Sequence, residues 1–476
     1  MRTPLYEIEE LVQATGGQVR GTPLPVEGLS IDTRTLSVGD AFFAITGDSS
    51  DGHAYVARAF AQGAALAVVA RNRLDTARFD GPLLVVDDVL AALERIAAAA
   101  RSRSSAGIVA VTGSVGKTTT KDALHTALAA DGPVHASPAS YNNHWGVPLS
   151  LARLPRTARY GVFEIGMNHP GEITPLTRLV RPQVAIVTTV EPVHLAQFRS
   201  VAEIAVAKAE IFAGLEPGGS AVLNLDNPHF ALLEAAARVQ GVRDIITFGA
   251  DPTAHCRLID LALKPDCSVM VADVMGSPVT LKVGMPGRHV ALNMLAVLAA
   301  ARRLGADLAR CALALAGLRA PPGRGVPMDL LLPGGSATLR DESYNANPAS
   351  MRAAIDVLSR APVGPRGRRI AVLGDMLELG PEGLAYHRAL AEPLAIAGID
   401  LVFCCGALMQ ELWHALPAER RGGYAEGSDA LTPLVAAALR QGDTLMVKGS
   451  NASRMGLLVE ALTARLRTPG AALIKG

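Results

Sequence analysis

The segment GIVAVTGSVGKTTTKDALHTAL, residues 107–128, constrains this chain more than any other. An apolar, β-branched run passes through a glycine-rich turn into a helical pattern, and such a strand needs neighbours on both sides and helices on both faces. The turn carries chemistry of its own. Its glycines let backbone N–H groups turn inward around a phosphate, the helix N-terminus adds a partial positive charge, and Lys117 adds a full one. Thr118 supplies a hydroxyl suited to Mg²⁺. Gly113, Ser114, Val115, Gly116, Lys117, Thr118 and Thr119 are therefore expected to wrap the phosphates of a nucleotide. The spacing departs from the usual G-x-x-x-x-G-K-[ST], because position 111 is Val and the first glycine is Gly113. The flanking strand and helix select nucleotide binding over an ordinary glycine-rich turn. The loop does not choose a reaction, since ATPases, kinases, switches and ligases share it.

The rest of the chain divides around this unit. Residues 1–104 mix short apolar strands (GDAFFAIT, ALAVVA) with helices, and the helix ALERIAAAARSRS runs out into a polar Ser/Arg stretch that reads as a linker. Residues 105–316 continue the apolar strands at YGVFEIG, VAIVTTV and SAVLNL, with helical patterns between them and a more β-like stretch, CSVMVADVMGSPVTLKVGM, before the helix ALNMLAVLAAARRLG. Residues 317–476 open on the Pro/Gly hinge LRAPPGRGVPMDL and then alternate strand RRIAVLG, helix GLAYHRALAEPLAIAG, strand LVFCCG, helix DALTPLVAAALRQ and strand TLMVKG. Such alternation predicts a doubly wound, Rossmann-like sheet. The expected class is α/β in three domains: a smaller N-terminal one, a central ATPase-like parallel sheet, and the Rossmann-like one.

Composition narrows the function. Hydrophobic residues make up 49% and charged ones 19%, which excludes global disorder. With 45 basic and 44 acidic residues, no excess of charge marks a nucleic-acid or membrane-surface protein. The apolar runs fall short of the ~20 residues of a membrane span, and MRTPLYEIEELV carries acids where a signal peptide carries an apolar block. Cys256, Cys267, Cys311, Cys404 and Cys405 form neither a CxxC pair nor a zinc pattern, so free thiols in a reducing cytoplasm are expected.

Three further polar residues fall where a doubly wound sheet binds ligands, beyond the carboxyl ends of its strands. Glu164 ends an otherwise apolar strand, where a buried carboxylate calls for a cation. His194 follows VAIVTTV in EPVHLAQF, and Lys208 sits on the helix AVAKAEIF. Taken singly, each has an ordinary explanation as a capping carboxylate, a loop histidine or a solvated lysine. With the phosphate loop they sketch a Mg²⁺–ATP site.

TGSVGKTTTK, YNNHWGVPLSL, FEIGMNHPGEI, EPVHLAQFRSVAEIAVAKAEIF, LNLDNP, MPGRHVALNMLAVLAA, GRG, DESYNANPASM, GDMLELG and VKGSNASRM occur in that order. Together they resemble the Mur ligases over nearly the whole chain. DESYNANP and GDMLELG, with IDTRTLSVGDAFFAITGDSSDGHAYV, are most similar to the members that add D-alanyl-D-alanine. The resemblance implies a UDP-binding N-terminal domain, a central ATPase and a C-terminal domain for the incoming dipeptide. It implies that UDP-MurNAc-tripeptide, D-Ala-D-Ala and ATP give UDP-MurNAc-pentapeptide, ADP and phosphate through an acyl phosphate, in cytoplasmic peptidoglycan precursor synthesis, by a monomer that binds no nucleic acid.

By the same resemblance Thr118 and Glu164 hold a first Mg²⁺, and His194 and Lys208 serve a second. An ammonium cannot ligate a cation, so Lys208 would act as a carbamate; unmodified, it would contact substrate or phosphate. Asn293 resembles the adenine contact, although the family's asparagine just after the histidine is Val290 here. Arg324 resembles an arginine that reaches the γ-phosphate when the C-terminal domain closes, and Glu342 takes the ribose position. Tyr344, Asn345 and Asn347 line the cleft, Asn142 and Asn143 lie near the tripeptide, and Thr33 and Arg34 meet the UDP-sugar, unless Arg34 merely pairs with Asp32. Asp375, Lys448 and Ser450 are expected to hold the dipeptide. Three rivals stay open here: a diaminopimelate- or lysine-adding Mur ligase, although no DNPR-type segment is present; a folylpolyglutamate synthase, which would leave the N-terminal block unexplained; and a nucleotide-binding switch without ligase chemistry.

Overall fold

The computed structural model describes residues 4–47, 50–74, 79–138, 140–193 and 195–466. Among them the strand Gly107–Thr112 lies in the interior of a nine-stranded sheet, hydrogen-bonded in parallel to Tyr160–Glu164 on one side and Val184–Val187 on the other. Val134–Ala136 closes the first edge; Ser220–Asn224, Asp244–Gly249 and Cys256–Leu263 extend the other in parallel. An antiparallel hairpin, Ser268–Val274 and Ser277–Val283, completes it. Its two-residue turn puts Met275 and Gly276 at φ 52° and 82°, the doubly left-handed geometry that matches the twist of a hairpin.

Period-two alternation sends successive residues of these strands to opposite faces. Ile108, Ala110, Ala185 and Val187 join one buried cluster, whereas Val109, Val111, Val184 and Ile186 join another. The second cluster is covered by the helices Lys117–Ala129 and Arg288–Arg303. The first continues without a break into the N-terminal unit through Leu93 and Ile96 to Phe43 and Leu66. There a five-stranded sheet runs Gln18–Arg20, Leu83–Val86, Leu66–Ala70, Asp40–Phe43, Gly28–Ser30, with only the first strand antiparallel.

The shared core corrects one expectation. The Ser/Arg end of the helix Val89–Arg103 is no free linker: Arg101 is 5% exposed and donates to the carbonyls of Val180 and Arg181, and Arg103 donates to that of Leu5. These arginines bury their stems and satisfy carbonyls that end other elements.

The third sheet has six strands, in the order Val326–Leu332, Gly335–Glu342, Thr444–Lys448, Arg369–Gly374, Leu401–Cys405, Arg421–Ala425. The last four are parallel, as a doubly wound unit requires. The opening antiparallel hairpin lies where sequence patterning suggested only a hinge. One expected helix is two, Gly383–Arg388 and Ala391–Ile396, because Pro393 cannot donate to the carbonyl four residues before it. All five cysteines are buried and free, and no helix among the described residues is long and apolar enough to cross a membrane.

Candidate active site

The carboxyl ends of the central strands face the third sheet across a cleft of about 640 Å³. The phosphate loop forms its floor, and its shape depends on glycine at two points. Gly113 has φ 146°, and a Cβ there would fall 2.0 Å from Thr188 Oγ1; Gly116 has φ 86°, and a Cβ would meet the Asn293 amide at 2.5 Å. Thr188 donates to the Val115 carbonyl at 2.6 Å, and Ser114 Oγ bridges the main chain of Glu191, donating to its carbonyl at 3.1 Å and accepting from its N–H at 3.0 Å. The Lys117 ammonium folds back on its own loop, donating to the Gly113 carbonyl at 2.7 Å. Burial lowers its pKa, which the nearby Glu164 opposes and Arg324 reinforces.

Glu164, 1% exposed, stands at the end of its strand. Its Oε1 accepts from Asn142 Nδ2 at 2.8 Å, but its Oε2 is buried with no donor. An acceptor stranded in this way costs about 1–3 kcal/mol, and more when charged, unless something positive meets it. The Thr118 hydroxyl lies 3.4 Å from Ser140 Oγ and accepts from Arg324 Nη2 at 3.1 Å. Among the described residues no three His, Cys, Asp or Glu side chains converge into an all-protein metal cage. A hydroxyl and one carboxylate with a free oxygen instead suit Mg²⁺, which keeps waters and takes its remaining ligands from phosphates. His194 lies outside the described residues. Lys208, on the helix Val201–Ala209, is 1% exposed and makes no hydrogen bond or ion pair among the described residues. Burial and the neighbouring Lys117 hold its pKa well below the ordinary lysine value.

The third sheet supplies the opposite wall. Arg324 reaches Thr118 from the segment before the hairpin, with its guanidinium 4.2 Å above the Tyr344 ring. Lys448, nearly buried, donates to the Asn345 carbonyl at 2.8 Å and lies 3.7 Å from Glu342. Burial raises the Glu342 carboxyl's pKa while Lys448 and Arg324 oppose the rise. Asn345 and Tyr344 face the cleft. Asn347 also lines it, but its side chain caps the helix Pro348–Arg360 by accepting from Ser350 N–H at 2.9 Å.

Several expected residues are not brought to the cleft. Asn143 caps the helix Gly146–Ala152 through the N–H groups of Trp145 and Gly146. Asp375 accepts from the N–H groups of Leu408 and Met409; Ser450 accepts from Leu377 N–H and donates to the Ala346 carbonyl. Both brace the loop after Arg369–Gly374. Thr33 is buried and Arg34 exposed in the N-terminal unit, where Arg34 closes on Asp32 at 2.6 Å. Conversely, His289, Glu191 and Arg352 line the cleft without having been singled out. Burial pushes the His289 pKa down to about 4, so it is neutral. His289 and Glu191 lie within the motifs MPGRHVALN and EPVHLAQF, but only the fold reveals that Arg352 points the same way.

Comparison with known proteins covers the same ground. The Mur ligase family catalytic domain matches residues 25–101, the Mur ligase middle domain residues 111–301, and the Mur ligase glutamate ligase domain residues 335–451. The chain is 34% identical to the UDP-N-acetylmuramoyl-tripeptide–D-alanyl-D-alanine ligase of Escherichia coli K12, over 96% of this chain and 98% of that one. It is 30% identical to the Bacillus subtilis enzyme of the same name, over 97% and 98%. Among solved structures it resembles MurF from Acinetobacter baumannii (TM-score 0.82, 27% identity, 96% and 98% covered). It also resembles MurF from Thermotoga maritima in complex with ADP (TM-score 0.74, 25% identity, 92% and 98% covered).

Proposed function

The chain belongs to the Mur ligase family, and on that premise we propose that it joins D-alanyl-D-alanine to UDP-MurNAc-tripeptide at the expense of ATP, in peptidoglycan precursor synthesis. The observation that carries this reading is the cleft itself, where a phosphate loop, a half-satisfied buried carboxylate and an arginine from the opposite sheet converge.

A carboxylate anion resists nucleophiles, so the tripeptide's terminal carboxylate must first be activated. Its oxygen attacks the γ-phosphorus, ADP leaves, and an acyl phosphate forms; the dipeptide's amino group then attacks that carbonyl and phosphate departs. The chain's part is positioning and charge stabilisation. Gly113 to Thr119 wrap the phosphates, and Lys117 exchanges the Gly113 carbonyl for β/γ oxygens. Arg324 spreads the charge that develops on the transferred group. Asn293, against Gly116, takes the adenine and Glu342 the ribose. Asn142, by fixing one oxygen of Glu164, aims the other.

Thr118 and Glu164 would hold a first Mg²⁺ and His194 and Lys208 a second, and bound Mg²⁺ neutralises phosphate charge. Carbamylation of Lys208 suits its setting, because burial disfavours the ammonium and the free amine is the form that adds CO₂. Tyr344, Asn345 and Lys448 complete the substrate wall, while Thr33 and Arg34 would meet the UDP-sugar once Arg34 leaves Asp32. Asn143, Asp375 and Ser450 act through the loops they hold. We divide the chain at 104/105 and 316/317 and assign it to the cytoplasm as a monomer; five reduced thiols fit that compartment.

The test is phosphate release. It should require both UDP-MurNAc-tripeptide and D-Ala-D-Ala, and in a panel with diaminopimelate, D-Glu and L-Ala, each with its matching UDP precursor, only D-Ala-D-Ala should support it. Slow release indifferent to the peptides, or preference for another acceptor, would refute the proposal.

A further inference from the structure

We infer that Glu191 and Arg352 form a two-ended seat for the zwitterionic dipeptide, Glu191 receiving its ammonium and Arg352 its carboxylate. The inference rests on the ligase reading above and names residues for its acceptor substrate.

Most charged and amide groups around the cleft already have partners within the protein. Lys117, Lys448, Asn142 and Asn347 are committed to hydrogen bonds within the protein, and Arg324 reaches Thr118. Glu164 Oε2 is free, but it faces the phosphate loop, whose lysine feels its charge. Of the charged lining groups, Glu342 pairs with Lys448 and Arg340 donates to the Pro265 carbonyl, which among the described residues leaves two nearly uncommitted. The Glu191 carboxylate accepts one long bond, from Thr189 Oγ1 at 3.4 Å. The Arg352 guanidinium holds no hydrogen bond or ion pair among the described residues and is exposed to the cleft.

The two residues stand on opposite walls: Glu191 follows the central strand Val184–Val187, and Arg352 lies on the helix Pro348–Arg360 of the third sheet's unit. Burial raises the Glu191 carboxyl's pKa, and Arg352 is the charge that most opposes the rise, so each lies in the other's field. Yet no approach within 4.0 Å joins them. Opposite charges that line one cleft from its two walls without pairing suit a ligand carrying both signs at its two ends. A two-residue peptide spans at most about 7 Å, and a free dipeptide has a cation at one end and an anion at the other.

The ammonium end must arrive beside the activated carbonyl, that is, beside the phosphate loop. Glu191 is the member of the pair tied to that loop, through both main-chain bonds to Ser114 Oγ. Arg352 then receives the carboxylate at the far end, where it reads that the acceptor is a free acid.

The experiment uses the full chain with ATP and UDP-MurNAc-tripeptide, comparing D-Ala-D-Ala with its C-terminal amide. Wild type should lose roughly 10- to 100-fold in kcat/KM on the amide, the scale of a lost charge-assisted bond. Arg352→Gln should lose a similar factor on D-Ala-D-Ala and nothing further on the amide. Glu191→Gln should raise KM for both acceptors and leave KM for ATP unchanged, while N-acetyl-D-Ala-D-Ala, which lacks the ammonium, should inhibit it and wild type equally. If Arg352→Gln weakens dipeptide and amide alike, or if either variant shifts KM for ATP instead, the pair is a direct closing contact or a nucleotide contact and the inference falls. Wild type that ligates D-Ala-D-Ala beside variants with unaltered KM overturns this inference alone; wild type that rejects D-Ala-D-Ala but accepts another acceptor overturns the ligase reading.

Discussion

Arg324 offers the sharpest test of how the two walls cooperate. Its Nη2 lies 3.1 Å from Thr118 Oγ1, within the phosphate loop, and its guanidinium stacks 4.2 Å above Tyr344. Removing it by Arg324→Ala deletes one charged donor from the place where phosphoryl charge develops. A hydrogen bond to a charged group contributes about 1.5–3 kcal/mol. At 1.36 kcal/mol per decade, that is roughly a 10- to 150-fold fall in kcat. Because ATP binding would exchange the Thr118 bond for bonds to phosphate, ATP affinity should fall far less than kcat. Arg324→Lys should recover only part of the loss, because an ammonium cannot keep a flat stack on Tyr344 while offering a fork of donors. Tyr344→Phe, which preserves the aromatic face, should stay near wild type. Steady-state phosphate release with saturating peptides, titrated in ATP, separates kcat from KM. A rise in KM for ATP with kcat intact would refute the reasoning and make Arg324 a plain binding residue.

Gly116→Ala should abolish nucleotide binding, measured by titration with a fluorescent ATP analogue, while lowering Tm only modestly, because the new methyl group strains a left-handed loop residue and displaces the polar Asn293 side chain rather than an apolar core group. Lys208→Met should eliminate turnover yet raise Tm at pH 7 in CO₂-free buffer. The native state resists protonating this amine and the unfolded chain does not, so stability rises with pH until the ordinary lysine pKa is passed. The gain from Lys208→Met should therefore shrink as pH approaches that value, and a gain constant with pH would count against the buried-cation account. Lys208→Ala should regain some activity when a short carboxylic acid is added, if the side chain works as a carbamate; indifference to the acid would favour the plain amine. His387→Ala removes an acceptor for Met376 N–H at 2.9 Å and a donor to the Gly383 carbonyl at 2.6 Å, so the loop after Arg369–Gly374 should loosen at a cost of about 1–3 kcal/mol in denaturant melts.

The central strand–loop–helix was legible because its signals agree at every level: apolar alternation in the strand, glycines at two positions of positive φ, and a lysine opening the helix. The hairpin Val326–Leu332 and Gly335–Glu342 was not, because Pro and Gly dominate its ends while its inward residues Leu330 and Leu339 are too sparse to set a period. The run-out of the helix Val89–Arg103 misled for another reason. Arginine reads as solvated in sequence, whereas Arg101 finds carbonyls nearly eighty residues away. At the site, residues with one expected partner, such as Lys117 and Glu164, were recoverable. Asn143, Asp375 and Ser450 carry the same polar atoms, but local backbone donors claim them first, and that competition is visible only in three dimensions.

The contacts of the phosphate loop bear on how substrates enter. The hydroxyl of Thr118 faces Arg324, and the ammonium of Lys117 is spent on the Gly113 carbonyl. A Mg²⁺ held by Thr118 and Glu164 would require Arg324 to leave that oxygen. Both groups are cations, and both lie at the loop proposed to wrap the triphosphate. Each therefore gives up one bond to a neutral oxygen for bonds to phosphate oxygens, which are stronger because both partners are charged. Nucleotide binding is thus coupled to movement of the segment that carries Arg324. In that movement the opposite wall, with Tyr344, Lys448 and Arg352, would close toward the activated acid, which predicts that the acceptor binds after the donor's phosphates.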